Sequence, residues 1–349
     1  SGQPGASAAV RIRGIGSINA SSAPLYVVDG AAFDGDINSI PTDDIESISV
    51  LKDAAAAALY GARGANGVIM ITTKKGSVGK ATVTAKVLIG TSSRAIKEYE
   101  RVDANQYYEL MWEGWRNARM IAGGMTESAA NTMASGAGAN GIVGRLGYYN
   151  PYNVPDAQVV GLDGKINPSA KLLYQDDWIE ALSQPGLRQD YNVSVSGGVE
   201  GTTFYSSFGY INEKGHVKWS DYDRFTGRVG ITSKITKWFK TDASISGATS
   251  EQAGFLAEGT YTTNPFYYGR MMGPIYPIYQ READGSIKLM SDGSPAYDMG
   301  GGSSIYKWAG HTRPYAPNSN LLVTLPLDYR GNERANMSAR VGADFTFLK

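Results

Sequence analysis

The chain has 349 residues, 43 of them Gly and 22 Tyr, with Lys+Arg and Asp+Glu balanced at 33 each. That balance gives no reason to expect nucleic acid as a partner, and the absence of Cys excludes disulfides, thiolate metal sites and Cys nucleophiles. No stretch approaches the ~18 apolar residues of a spanning helix, a test that alternating barrel strands escape.

Residues 1–76 read as an α/β unit. Val10 to Arg13 is expected as a short strand, followed by a turn at Gly14-Ile15-Gly16. Pro24-Leu25-Tyr26-Val27-Val28-Asp29-Gly30 reads as a strand ending in an Asp-Gly turn. Ile45 to Leu51 alternates and is a second strand, and Asp53 to Tyr60 is Ala-rich and helical with Gly61 as its C-cap. Gly67 to Thr73 is nearly all apolar, as in a strand buried on both faces. Gly76 and Gly79 bracket a linker.

From residue 81 the period becomes two. Strands are expected over 82–89, 190–196, 203–211, 224–235, 239–246 and 337–347. In 224–235, for example, Phe225, Val229 and Ile231 oppose Arg224, Thr226 and Arg228. Strands of roughly 9–13 residues suit a tilted bilayer crossing. The turns at Gly198–Thr202 and Thr236–Trp238 are tight, whereas 91–188 and 251–335 are long loops. Short turns on one side and long loops on the other favour an outer-membrane barrel over a soluble sandwich. Val229, Ile231, Val341 and Phe345 should then face lipid, and Arg228 and Arg340 the lumen. Within loop 91–188, Asp103 and Gln106 form a capping box for a helix to about Ala118.

Six strands alone would close to a cylinder only ~12 Å wide, while a unit of this size needs on the order of 20 strands around it. Either the chain is part of a larger barrel or the first unit sits outside the barrel, and the start at Ser1 and the last strand running to Lys349 favour the former.

Several motifs fail on inspection. Gly14-x-Gly16 lacks the third Gly of a dinucleotide loop, and Gly61, Gly64 and Gly67 follow a helix instead of opening one. Asp34-x-Asp36-x-Asn38 starts like a calcium loop but has Ser39 and Ile45 where Gly and Glu are required. The pairs Asp43-Asp44 and Asp176-Asp177 read as solvated surface, and His216 and His311 as loop histidines. No catalytic constellation, cofactor site or metal site emerges, so an enzyme is not expected. The candidate substrate contacts are Tyr148, Tyr149, Tyr152, Tyr267 and Tyr268, with Phe33 and Asp34. Aromatic faces with hydroxyl edges suit sugars and peptides alike, while packing within the loops and an interfacial belt is the alternative role for the tyrosines.

PLYVVDG at 24–30 together with LKDAAAAALYGARGANGVIMITTKKG at 51–76 resembles the plug of TonB-dependent receptors, in the SusC/RagA branch. The resemblance is strong over 10–76 and looser beyond. It implies a transmembrane antiparallel β-barrel of about 22 strands when complete, about six of them here, with an N-terminal α/β plug in the lumen. The plug would be residues 1–79 and the barrel portion 80–349. The implied activity is TonB-dependent import of glycans or oligopeptides across the bacterial outer membrane. The implied partners are a SusD-like surface lipoprotein as lid, the TonB-ExbB-ExbD complex and outer-membrane lipid. A dimer of the transporter–lipoprotein pair is a further implied state. A siderophore or cobalamin receptor, or a non-transport adhesin, is the alternative.

Overall fold

The computed structural model describes residues 3–12, 14, 21–52, 59–96, 98–254, 263–301, 306–327 and 330–347. The chain divides into two units: Ser1–Ser93 with Pro185–Gly254 and Arg330–Lys349, and Arg94–Gln184 with Phe255–Tyr329.

The first unit holds two sheets. The smaller contains β1 (Leu25–Val28), β2 (Ala31–Phe33), β3 (Ile45–Leu51) and β4 (Val68–Thr73) in the order β2-β1-β4-β3. β4 runs parallel to β1 and antiparallel to β3. As its apolar run requires, β4 buries residues on both faces. Leu25, Val27 and Val68 form the core, with Leu51, Tyr60 and Met70 packed against them.

Two features of this sheet differ from expectation, and a third falls mostly outside the described residues. Val10–Ile12 is irregular chain, and Arg13 lies outside the described residues. Most of the expected Asp53–Tyr60 helix, residues 53–58, also lies outside them. Leu59 and Tyr60 are helical and lead into a 3-10 turn at Gly61–Gly64. β2 adds a hairpin, because Asp29 and Gly30 take φ of 48° and 88° and pair Val28 with Ala31 across a two-residue turn. Both central residues at positive φ define the type I′ turn that Asp-Gly favours.

The larger sheet is a meander of six antiparallel strands: β5 (Gly79–Ser92), β6 (Gly186–Val199), β7 (Thr202–Lys214), β8 (Asp221–Lys234), β9 (Phe239–Gly254) and β10 (Arg330–Phe345). They are 13 to 16 residues long, more than the alternating segments alone indicated. The long connections accordingly shorten to 93–185 and 255–329. Connections 200–201 and 235–238 fall at one end of the sheet, and the longer ones at the other.

The two faces of this sheet differ as alternation demands. Val83, Val193, Phe208, Phe225, Val229 and Val341 are exposed, whereas Asn192, Ser207 and Thr226 on the opposite face are buried. Aromatic rings frame the aliphatic face. Tyr210 stacks on Tyr191 and Phe225 towards the long-loop end. Phe345 stacks on Phe239, Trp238 and Phe347 at the tight-turn end. Phe225 lies opposite Thr249, ten residues along β9 from Phe239. At ~3.4 Å per residue and ~40° tilt, the two rows stand about 26 Å apart, close to the ~25 Å apolar band of outer-membrane barrels.

The second unit is built around the helix α1 (Ala104–Ile121), which packs on α2 (Glu127–Ser135). The Asp103–Gln106 capping box forms in both directions. Tyr108 and Trp112 are buried, with the Trp112 indole N–H donating to Ser135 Oγ at 3.0 Å. Asp176 accepts from Arg281 at 2.6 Å and from the Ile278 N–H, while Asp177 caps the helix Trp178–Leu182. This acidic pair is therefore structural, not merely solvated.

Candidate functional site: the plug–strand seam

Polar side chains of the small sheet meet the polar face of the large one. Asp29 is positioned by its turn. With φ at 48°, its carboxylate points to the end of β4. There Oδ1 accepts the Thr73 N–H at 2.8 Å and Oδ2 the Thr73 hydroxyl at 2.6 Å. Arg228, on the polar face of β8, donates to Asp29 Oδ2 at 3.2 Å and also to Thr73 Oγ1. The side chains of Arg228 and Asp29 are 12% and 7% exposed, so this pair is shielded from solvent. Burial alone would raise the Asp29 carboxyl, but the two Thr73 hydrogen bonds and the Arg228 charge outweigh it and hold it below its ordinary value.

Asp44 forms the second anchor and corrects the reading of Asp43-Asp44 as solvated surface. It is 3% exposed and accepts from Tyr205 and Ser207 of β7, both at 2.8 Å. Asp43 pairs with Lys86 of β5 at 2.9 Å. Arg224 donates to the Asn38 carbonyl, Arg334 to Asp36, and Gln252 to the Pro4 carbonyl. Asp34-x-Asp36-x-Asn38 is thus satisfied by Arg63, Arg334 and backbone. The linker after β4 also seats closely: a Cβ on Gly76 would come within 2.4 Å of Phe204 backbone.

A cavity of about 350 Å³ lies beside the Asp29 cluster, lined by Phe33, Ile40, Thr73, Arg228, Ser246 and Arg340. Arg228 and Arg340, the arginines expected to face a lumen, both line this cavity beside the small sheet, and Val229, Ile231, Val341 and Phe345 are exposed on the other face.

The tyrosines predicted as substrate contacts separate into two groups. Tyr149, Tyr152 and Tyr268 are buried in the second unit and satisfied there. Their hydroxyls donate to Asp298, Asn105 and the Ser319 carbonyl. Burial raises all three phenols, Tyr268 to about 12, so they stay neutral donors. These three are core residues, which corrects their candidate role as substrate contacts and agrees with the loop-packing alternative: a phenol buries its ring readily when its hydroxyl finds an acceptor. Tyr148 and Tyr267 remain exposed, Phe33 lines the cavity, and Asp34 sits exposed in an ion pair with Arg63. His311 stacks on Trp308 at 3.8 Å in the same core, and burial lowers its pKa.

Comparison with known proteins places these features in context. The TonB-dependent receptor plug domain profile matches residues 1–68. TonB-dependent receptor P39 of Formosa agariphila is 32% identical over 266 residues, 76% of this chain and 22% of that protein. TonB-dependent receptor SusC of Bacteroides thetaiotaomicron is 30% identical over 238 residues, 66% of this chain and 19% of that protein. The structure of the RagAB peptide importer in its closed-closed state matches 100% of this chain and 35% of its own, at 25% identity and a TM-score of 0.65. The chain spans at most 30% of the length of the curated relatives it matches. A plug profile over the small sheet, a SusC relative and a RagAB-like course for the whole chain converge on one assignment: the chain belongs to the TonB-dependent transporters of the SusC/RagA type.

Proposed function

We propose that this chain is the plug and first wall strands of an outer-membrane importer that takes up oligomeric nutrients, glycans or oligopeptides, using energy delivered through the TonB-ExbB-ExbD complex. In this reading residues 1–79 gate the lumen and 80–349 supply barrel wall and long outer loops. A SusD-like lipoprotein closes the mouth over those loops, and two such pairs associate as a dimer. Tyr148, Tyr267, Phe33 and Asp34 are the remaining candidate substrate contacts.

The observation that carries this reading is the two-sided sheet. Its aliphatic face is framed by aromatic rows at the spacing of a bilayer core, and its polar face is occupied by a folded domain. A stopper so bonded blocks the passage beside it, and opening requires work. Ligand binding alone supplies such work only by discriminating between two states. The peptide cargo named for RagAB supports an oligomeric substrate over a chelated metal.

Conductance of the full-length protein in planar bilayers, with and without the plug, tests the gating. The intact protein should be closed and the plug-deleted one a large passive channel. An intact protein that already conducts like a porin, unchanged by deletion, refutes it. Co-purification of a lipoprotein under mild detergent tests the lid, and repeated isolation of a lidless transporter counts against it.

A further inference from the structure

Six of the eight arginines in the second unit have a bonded acceptor. Arg94 and Arg270 pair with Glu98, Arg116 with Glu127, Arg281 with Asp176 and Arg313 with Asp298, while Arg101 donates to three backbone carbonyls. Arg119 and Arg145 are the exceptions. Neither guanidinium has a hydrogen-bond acceptor or carboxylate among the described residues, whereas an unpartnered Nε is common to Arg116, Arg119, Arg281 and Arg313. These two lie over the same ring: their Cζ atoms are 4.8 and 4.5 Å from the centroid of Trp115. The two positive charges are therefore no more than about 9 Å apart. Trp115 is itself fixed, since its indole N–H donates to the Asn140 carbonyl at 2.8 Å.

Packing alone does not account for this pattern. An arginine stacked on an indole gains from the ring quadrupole, but two stacked on one indole repel each other, and the neighbouring acids are already engaged. Arg116, over Trp112 one turn away, both stacks and is paired with Glu127.

Resting on the importer reading above, we propose that Arg119 and Arg145, held by Trp115, form an anion-binding clamp for the carboxylates of an acidic oligopeptide. Each guanidinium presents a planar fork that matches a carboxylate. In an extended peptide, side chains two residues apart share a side at ~6.6–6.8 Å, within the reach of the two forks. A sugar would instead need an open aromatic face. The Trp115 ring is occupied by the guanidiniums and Trp112 is buried.

Calorimetry on the full-length transporter tests the clamp with three probes: Ala-Asp-Ala-Asp-Ala, its Asn counterpart, and a galacturonate trimer. The acidic peptide should bind at least tenfold more tightly than the neutral one, and the advantage should shrink as salt rises. Arg119→Gln with Arg145→Gln should abolish the advantage, while Arg94→Gln leaves it intact. Arg119→Lys with Arg145→Lys keeps the charge and should retain part of it, a control for misfolding. Equal affinity for acidic and neutral peptides overturns the proposal without any variant. So does an unaltered preference in the double Gln variant, or binding of the galacturonate trimer alone. The conductance result for the plug is independent of all three outcomes, so failure here leaves the importer reading standing.

Discussion

Asp29 should be the most sensitive position in the seam. Replacing it with Ala strands the Arg228 guanidinium, whose side chain is 12% exposed, beside a Thr73 N–H that has lost its acceptor. Breaking a buried pair costs ~3–5 kcal/mol, and because Arg228 keeps some solvent and its Thr73 contact we take about 3 kcal/mol. Asp29→Asn is milder, since Asn tolerates positive φ and its Oδ1 still accepts from Thr73, leaving about 1.4 kcal/mol for the lost charge. At 1.4 kcal/mol per tenfold, the released-plug population rises about 100-fold for Asp29→Ala and about tenfold for Asp29→Asn. Single-channel recording of the full-length protein in mild urea counts those openings. The charge also sets a pH signature. The Asp29 carboxyl lies below its ordinary 3.8 in the folded protein, so its contribution is complete above that value and is lost as pH falls through the depressed one. Wild type should therefore open more often in strong acid, and Asp29→Asn should be flatter there. Opening frequencies within twofold of wild type for both variants would refute the anchoring role.

Three further outcomes follow from the same geometry. Val229 is exposed near the middle of the aliphatic band, so Val229→Arg should cost ~2–4 kcal/mol on folding into lipid vesicles; an unimpaired yield would mean that face does not meet lipid. Gly76→Val should unseat the linker, because its Cβ would meet Phe204 backbone at 2.4 Å, and protease should then cut between Lys74 and Gly79 faster than in wild type. Unchanged cleavage means the linker yields freely. Tyr205→Phe removes one of two donors to the buried Asp44 carboxylate, and hydrogen exchange at the Lys74 N–H should accelerate about tenfold, equivalent to ~1–2 kcal/mol, with no change disproving the anchor.

The sheet faces were legible because a strand writes its environment into every second residue. Phe225, Val229 and Ile231 against Arg224, Thr226 and Arg228 allow one register only. Strand ends were not legible. β9 runs to Gly254 and β10 begins at Arg330, past the aromatic row at Phe225, where both faces are polar and alternation carries no signal. The seam was half legible. Asp29 announced itself as a turn residue, but its second role depends on Arg228, 199 positions away. Asp44 looked like any surface carboxylate, since its burial comes from Tyr205 and Ser207 on a strand far along the chain. The tyrosines failed for a related reason. Composition gives a phenol's amphipathic character but not which half is wet, and Asp298, Asn105 and the Ser319 carbonyl settled that for Tyr149, Tyr152 and Tyr268.

The chemistry of the seam suits a part that, on the importer reading proposed above, leaves and returns. The apolar core of the plug, Leu25, Val27 and Val68, is internal to its own sheet, whereas the plug–strand contacts described above are chiefly carboxylates and carbonyls facing arginine, lysine, hydroxyl and amide donors. Separating apolar surfaces exposes area at roughly 25 cal/mol per Å², with nothing regained until they close again. Exchanging a polar contact for water costs only ~0.5–1.5 kcal/mol net per neutral hydrogen bond. Asp29–Arg228 is the costlier exception, because one separation leaves two charges to be rehydrated. Such a seam is strong while every bond is shielded and weak once water enters at one point. The 350 Å³ cavity beside Asp29 and Thr73 is such a point of entry. On the importer reading, water entering there would reach the Asp29 cluster, and the Asp44 and Asp43 contacts lie elsewhere along the same seam.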